Sequence, residues 1–293
     1  MKSVVKSQTM IHEFNRIGRF FTMALPFTFF IVSVFMVGCR QRVDSENKKE
    51  TPPATMESEA AKNVSANSRI VTGRDGVEMV YIPSGVFFMG SDTGPAEERP
   101  KMNVFLEDFY IDRVEISNER FTKFMEETGH KPGGGFHFDG KNKHRPATRL
   151  TWKDVESYCR WAGKRLPTEY EWEKAARGVD GRIWPWGNDE KKPGLNESGS
   201  PVIYDVFDDP WGQSPYGCLH MSSNAREWIQ DWLKAYVLNT EPNPLYGEKY
   251  KVLRGGFDVK EKEIGFAPVT RRHYMEPNKF DELSGGRCAM DPD

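Results

Sequence analysis

The chain has almost no excess charge of either sign and few histidines. Its 293 residues contain 41 Lys plus Arg against 43 Asp plus Glu, a formal net charge of -2. Without an overall basic field, the protein is not expected to bind nucleic acid. The 6 histidines are scattered without the spacing of a zinc site, so no transition-metal centre is predicted.

One long apolar run lies near the N-terminus. Residues 20–38 carry no charge and follow four basic side chains, which is the layout of an export signal: Lys2, Lys6, Arg16 and Arg19. The run ends in Met36-Val37-Gly38-Cys39, which resembles the lipobox of bacterial lipoproteins. The resemblance implies that Cys39 receives a diacylglyceryl thioether and becomes the acylated, palmitate-bearing N-terminus of the mature protein.

This run leaves two possibilities open. The 19 uncharged residues could instead form an uncleaved signal anchor, despite Pro26. We expect a lipoprotein signal peptide over residues 1–39 and a lipid anchor in the cell membrane or outer membrane. The protein would then face the periplasm or the exterior. In a host with two membranes, Arg40 rather than Asp after the cysteine favours the outer membrane.

The composition changes twice after Cys39. Residues 40–69 are rich in Ser, Glu, Lys, Asn and Pro and contain almost nothing to bury, which predicts a flexible tether. From Ile70 onward, apolar segments alternate with turn and helix-capping residues to the end of the sequence. A single domain is therefore predicted over residues 70–293. Its 26 Gly, 19 Pro and 8 Trp indicate a loop-rich domain with little regular secondary structure.

Two strands and three helices are predicted from local patterns. Strands over residues 77–82 and 86–90, separated by Pro83-Ser84-Gly85, suggest a hairpin. Ser117, Thr151 and Thr168 each stand where a side-chain hydroxyl can cap a helix. Asp154 and Glu171 follow the two threonines at the capping-box position.

Several motifs resemble the formylglycine-generating-enzyme, or sulfatase-modifying-factor, family. The central motif is residues 158–178, YCRWAGKRLPTEYEWEKAARG, followed by Trp184-Pro185-Trp186-Gly187-Asn188. Further matches occur in order on both sides, at residues 79–85, 88–90, 114–118, 224–228, 254–256 and 286–289. The resemblance covers about residues 77–290. It implies an α+β fold: one loop-rich, C-type-lectin-like domain.

The resemblance also implies that the copper-binding cysteine pair of catalytic members is missing from this sequence. Catalytic members carry Arg-Gly-Gly-Ser followed by two cysteines five residues apart, whose thiolates bind copper(I) and activate dioxygen. Here the segment from Arg254 to Gly265 reads RGGFDVKEKEIG. Phe257 stands in place of the serine, and Lys260 and Gly265 in place of the cysteines. Neither replacement can hold copper(I) as a thiolate does, so copper is not expected.

The other cysteines have structural assignments. By resemblance, Cys159 and Cys288 form a disulfide, which an exported domain permits. Two buried free thiols are the alternative. Cys218 is left over, and its neighbours Tyr216, Gly217 and Leu219 favour a buried position.

Two candidate binding sites remain. The family holds calcium around a segment that here offers His220, Ser223, Ala225 and Glu227, so calcium is a candidate cofactor, although imidazole is a poor ligand for it. Arg271-Arg272-His273 could converge on a surface groove and bind an acidic or peptide ligand, or could form a solvated face.

These observations favour a noncatalytic domain at the cell envelope. It would bind an envelope protein, a peptide or a glycan, or serve in assembly. The alternatives are a purely structural lipoprotein and a non-copper oxidoreductase or tailoring enzyme, since ergothioneine-synthase and pyoverdine-tailoring relatives use this fold without the copper cysteines.

Overall fold

The computed structural model describes residues 71–260 and 263–292. The predicted signal peptide, lipobox and Cys39 lie outside the described residues, as does the whole predicted tether. Within these two ranges, no helix is both long and apolar enough to cross a membrane.

The described residues form three helices and twelve short strands. The helices are α1 (Asn118–Thr128), α2 (Trp152–Trp161) and α3 (Glu169–Arg177). The strands are β1 (Val71–Thr72), β2 (Glu78–Ile82), β3 (Gly85–Met89), β4 (Met102–Leu106), β5 (Phe109–Asp112), β6 (Arg226–Trp232), β7 (Lys251–Arg254), β8 (Phe257–Lys260), β9 (Glu263–Phe266), β10 (His273–Met275), β11 (Ser284–Gly285) and β12 (Ala289–Met290). Loops connect most of them, so the expectation of an α+β, loop-rich domain is confirmed.

The helix starts follow the predicted caps. Ser117 Oγ accepts a hydrogen bond from the amide of Arg120, and Gly129 ends α1 with a φ of 70°. Complete capping boxes open the other two helices, Thr151 with Asp154 and Thr168 with Glu171. These bonds satisfy amides at the helix start that lack partners within the helix.

The predicted hairpin of β2 and β3 is wrong. Two four-stranded sheets have the orders β1-β2-β5-β12 and β10-β7-β6-β11, and the pairs β3-β4 and β8-β9 are separate. Both edges of β2 are occupied, by β1 and β5, so β3 pairs with β4 instead. Lys174 Nζ donates to the carbonyls of Pro83 and Gly85, which fixes the chain between β2 and β3.

The core fills the space between helices and sheets. One cluster joins α1 and α2 to Trp228, Leu253 and Cys288. A second joins Trp172 of α3 to strands β2, β5, β6 and β7. Cys218 belongs to the second cluster and is fully buried, as its neighbours predicted.

Two glycines connect β7 to β8. Gly255 and Gly256 have φ values of 76° and 71°, a left-handed conformation that glycine adopts without strain. A Cβ on Gly256 would lie 2.7 Å from Arg226 Cγ, so a larger residue would also clash. This turn brings β8 next to the start of β6, where the candidate site lies.

Candidate functional site

Two buried glutamates of α3 organise the arginines around the site. Glu169 accepts hydrogen bonds from Arg254 Nη1 at 2.8 Å and from Arg272 Nε at 2.7 Å. Glu173 pairs with Arg254 and with Arg177. Because each buried guanidinium has a carboxylate partner, α3 anchors the strand β7 and the start of β10.

A cleft of about 580 Å³, which we call the arginine cleft, contains the predicted triplet Arg271-Arg272-His273. Arg271 Nη2 lies 2.6 Å from Asp258 Oδ2, and its Nη1 lies 2.8 Å from Glu98 Oε1. Arg272 is buried against Glu169. The structure therefore brings the three residues to one cleft but neutralises both guanidinium groups internally; their role in ligand binding stays a prediction.

Two buried polar atoms of residues that line this cleft make no hydrogen bond within the described part of the chain, Arg226 Nε and His273 Nε2. Burial, then Arg226, lowers the pKa of His273 to about 3, so its ring is neutral at physiological pH. A neutral imidazole nitrogen can donate or accept one hydrogen bond, depending on its tautomer.

A second cleft, of about 700 Å³, lies against β9 and is called here the β9 cleft. It includes Gly265, one of the two positions where catalytic relatives carry cysteine. Trp184, which stacks on Trp186 with ring centroids 6.3 Å apart, lines it. Trp184 Nε1 is buried without a hydrogen-bond partner among the described residues.

A third cleft, of about 540 Å³, lies beside β6 and is called here the β6 cleft. The indole rings of Trp152 and Trp232 line it together with Tyr170, Asp231 and Lys251. Trp152 is the first residue of α2, and this cleft was not predicted.

The three clefts adjoin. Asp258 lines both the arginine cleft and the β9 cleft, and Arg272 lines both the arginine cleft and the β6 cleft. The three clefts are therefore neighbours around β6, β8, β9 and β10.

Side chains of the residues predicted to bind calcium form hydrogen bonds with other protein groups. Both oxygens of Glu227 accept hydrogen bonds from Arg287 at 2.7 Å, and Trp172 Nε1 donates a further one at 2.7 Å. His220 Nδ1 lies 2.8 Å from Ser223 Oγ. Since the only carboxylate of the set is neutralised by a guanidinium, these residues do not fit calcium. Within the described ranges, no group of three or more His, Cys, Asp or Glu side chains is arranged to hold a metal ion.

The copper positions do not fit copper either. Lys260 is the last residue of β8, and Gly265 of β9 lies opposite Asp258 of β8. Phe257, in the serine position, is buried and stacks on Phe266 with centroids 5.8 Å apart. A carbonyl or thiol substrate would meet an aromatic ring there rather than a hydroxyl.

The three described cysteines are buried free thiols. Burial raises the pKa of each, to about 11 for Cys218. Cys159 and Cys288 lie in the same core cluster. The fold thus brings the predicted disulfide partners into one region, and the bond itself stays a prediction.

Comparison with known proteins agrees with this architecture. Residues 68–292 match the family model described as the sulfatase-modifying factor enzyme 1-like domain. Formylglycine-generating enzyme of Bos taurus is 30% identical over 281 residues, covering 73% of this chain and 75% of that protein.

Two further proteins are similar to this chain. Serine/threonine-protein kinase pkn1 of Chlamydia caviae is 31% identical, but this chain covers only 38% of its length. The solved structure of PvdO from Pseudomonas aeruginosa has a TM-score of 0.57 at 23% identity, covering 75% of this chain and 96% of that one. The chain belongs to the formylglycine-generating-enzyme, or sulfatase-modifying-factor, family.

Proposed function

We propose that this protein is a lipoprotein anchored to the cell envelope through Cys39, whose domain binds a ligand and does not generate formylglycine. The ligand would bind in the region of the neighbouring arginine, β9 and β6 clefts. The sequence feature that supports this proposal is the segment from Arg254 to Gly265, where Phe257, Lys260 and Gly265 occupy the positions to which the resemblance assigns the serine and the two cysteines.

The remaining thiols support a noncatalytic role. Copper(I) binding and nucleophilic attack both use the thiolate, and a buried thiol with a raised pKa stays protonated at neutral pH. Cys159, Cys218 and Cys288 are all in this state. None lies in β8 or β9, so none can replace the missing pair.

The clefts support a binding role. Buried polar atoms in folded proteins nearly always have hydrogen-bond partners, so exceptions call for an explanation. His273 Nε2 and Trp184 Nε1 are two such exceptions, and they line adjoining clefts. A ligand with both donors and acceptors would satisfy them.

The catalytic half of the proposal is tested with a peptide containing Cys-x-Pro-x-Arg, copper and oxygen. We expect no conversion of the cysteine to formylglycine by mass spectrometry, while the Bos taurus enzyme assayed in parallel converts the peptide. Copper-dependent turnover by the unmodified chain would refute the noncatalytic role.

A double variant sharpens this test. A Cβ on Gly265 would meet no atom within 4 Å, so Gly265→Cys should be tolerated. Lys260→Cys with Gly265→Cys should bind copper(I) more tightly than either single variant, since two thiolates are needed to clamp the ion. Equal copper binding by the unmodified chain would show that another site supplies the ligands.

A further inference from the structure

The β6 cleft is lined by aromatic rings and by polar side chains with unused hydrogen-bonding capacity. Trp152, Tyr170 and Trp232 are half-buried and line a space of about 540 Å³. Asp231 and Lys251 line the same space. Pockets that select small ligands have this composition: apolar and aromatic walls with a few placed polar groups.

Lys251 supplies hydrogen-bond donors. Its Nζ lies 4.4 Å from the ring centroid of Trp152 and 4.0 Å from that of Trp232. It donates to the carbonyl of Gln230 at 2.6 Å. No carboxylate of the described residues lies within 4.0 Å of it. Since an ammonium has three donors, two remain for a ligand.

Asp231 supplies the acceptor. Its Oδ2 accepts a hydrogen bond from the amide of Glu169 at 2.7 Å, which fixes the carboxyl at the start of α3. Its Oδ1 accepts no hydrogen bond within the described chain. The cleft therefore offers a fixed acceptor and a fixed donor beside two indole rings.

We propose that the β6 cleft binds a pyranose sugar unit of a glycan. The C–H face of the sugar ring would pack against the ring of Tyr170, because Lys251 Nζ lies over both indoles. One sugar hydroxyl would donate to Asp231 Oδ1, and another oxygen would accept from Lys251 Nζ. Arg272 lines both this cleft and the arginine cleft. The inference rests on the proposed binding function and names its ligand class.

Other small ligands fit less well. A cationic ligand would have to compete with Lys251, whose ammonium already lies over both indole rings. An acidic ligand would meet the carboxyl of Asp231. A neutral sugar uses both groups and the ring of Tyr170 together.

The test is calorimetric titration of the full chain, solubilised in a detergent without a sugar headgroup. The probes are glucose, galactose, mannose, N-acetylglucosamine and the β1,4-linked tetramers of glucose and N-acetylglucosamine. We expect saturable binding of at least one probe. Lys251→Met, which keeps the side-chain stem between the indoles, and Asp231→Asn should each weaken it at least 10-fold.

The control is Val86→Ala, an exposed position that lines none of the three clefts, which should leave affinity for the sugars unchanged. If either cleft variant lowers the melting temperature, Gln230→Ala carries the test in its place, because the Gln230 side chain is exposed at the cleft rim. Absence of binding by every probe, or binding unaffected by the variants, would overturn the inference. Formylglycine formation is measured separately, so failure of this inference is distinguishable from failure of the noncatalytic proposal.

Discussion

Glu115 and Glu227 lie in the core and interact with one guanidinium, that of Arg287. Glu227 forms the bidentate pair, while Glu115 accepts hydrogen bonds from Asn224 Nδ2 at 3.0 Å and the amide of Ala225 at 2.8 Å. Burial, and then repulsion by Glu227, raises the pKa of Glu115 to about 8. The folded protein therefore holds a proton at neutral pH that the unfolded chain releases above about 4.5.

The raised pKa gives stability a defined pH dependence. The contribution of Glu115 is complete below the unfolded pKa and is lost as pH rises through the folded pKa. We expect Glu115 to lower the melting temperature between about pH 4.5 and pH 8, where the folded protein holds the proton and the unfolded chain does not. The side chain of the Glu115→Gln variant cannot ionise. The melting temperature of this variant, measured by circular dichroism, should therefore fall less steeply over the same pH range than that of the unmodified protein.

Glu107→Gln is the matched control because Glu107 is exposed. It should leave the slope of melting temperature against pH unchanged. Equal slopes for the Glu115 variant and the unmodified protein would show that Glu115 is ionised in the folded state.

The partners of individual residues were the least predictable feature of the sequence. Arg272 is separated from Glu169 by 103 residues, so no local pattern could reveal that its guanidinium is used inside the protein. For the same reason the β6 cleft was missed, since Trp152 comes from α2, Trp232 from β6 and Lys251 from β7. The burial of Cys218 was predicted, because its packing neighbours are adjacent in sequence.

At the scale of secondary-structure elements, the helices were predictable and the strand pairing was not. Helix starts are fixed by side chains within three residues of the cap, as at Thr168 and Glu171. Strand partners are chosen by the whole fold, and β2 pairs with β5 rather than with its neighbour β3. The resemblance to a family supplied the correct fold class, which local patterns alone did not.

The predicted disulfide would join α2 to the residue before β12. Cys159 and Cys288 are fully buried in the same core cluster. A loop of about 130 residues would stabilise the fold by roughly 4–5 kcal/mol in the chain-entropy model. Non-reducing peptide mapping of protein exported by a bacterium should recover the two cysteines linked.

Cys218→Ala serves as the control for this mapping, because Cys218 lies in the other core cluster and should not affect the linkage. Alkylation of both Cys159 and Cys288 after denaturation without reductant would show that the pair remains reduced. The reduced protein should unfold at a lower temperature than the oxidised protein.

At the scale of the whole molecule, the predicted anchor and the domain have separate tasks. The domain resembles the formylglycine-generating enzymes over residues 68–292, while the lipobox precedes it. Ligand binding and membrane attachment should therefore be separable. A variant that loses the anchor should keep the sugar affinity proposed for the β6 cleft.

Membrane attachment itself is tested at Cys39. One acyl chain gives only marginal membrane binding, whereas two or more chains anchor a protein stably. A diacylglyceryl thioether on Cys39 provides two chains, so the protein should stay in the membrane fraction through a high-salt wash and incorporate labelled palmitate. Cys39→Ala should abolish the label and either release the protein or leave it as an unprocessed precursor, while Cys218→Ala should behave as the unmodified protein. An uncleaved signal anchor would instead hold the Cys39 variant in the membrane at unchanged size and processing, because residues 20–38 remain apolar in both proteins.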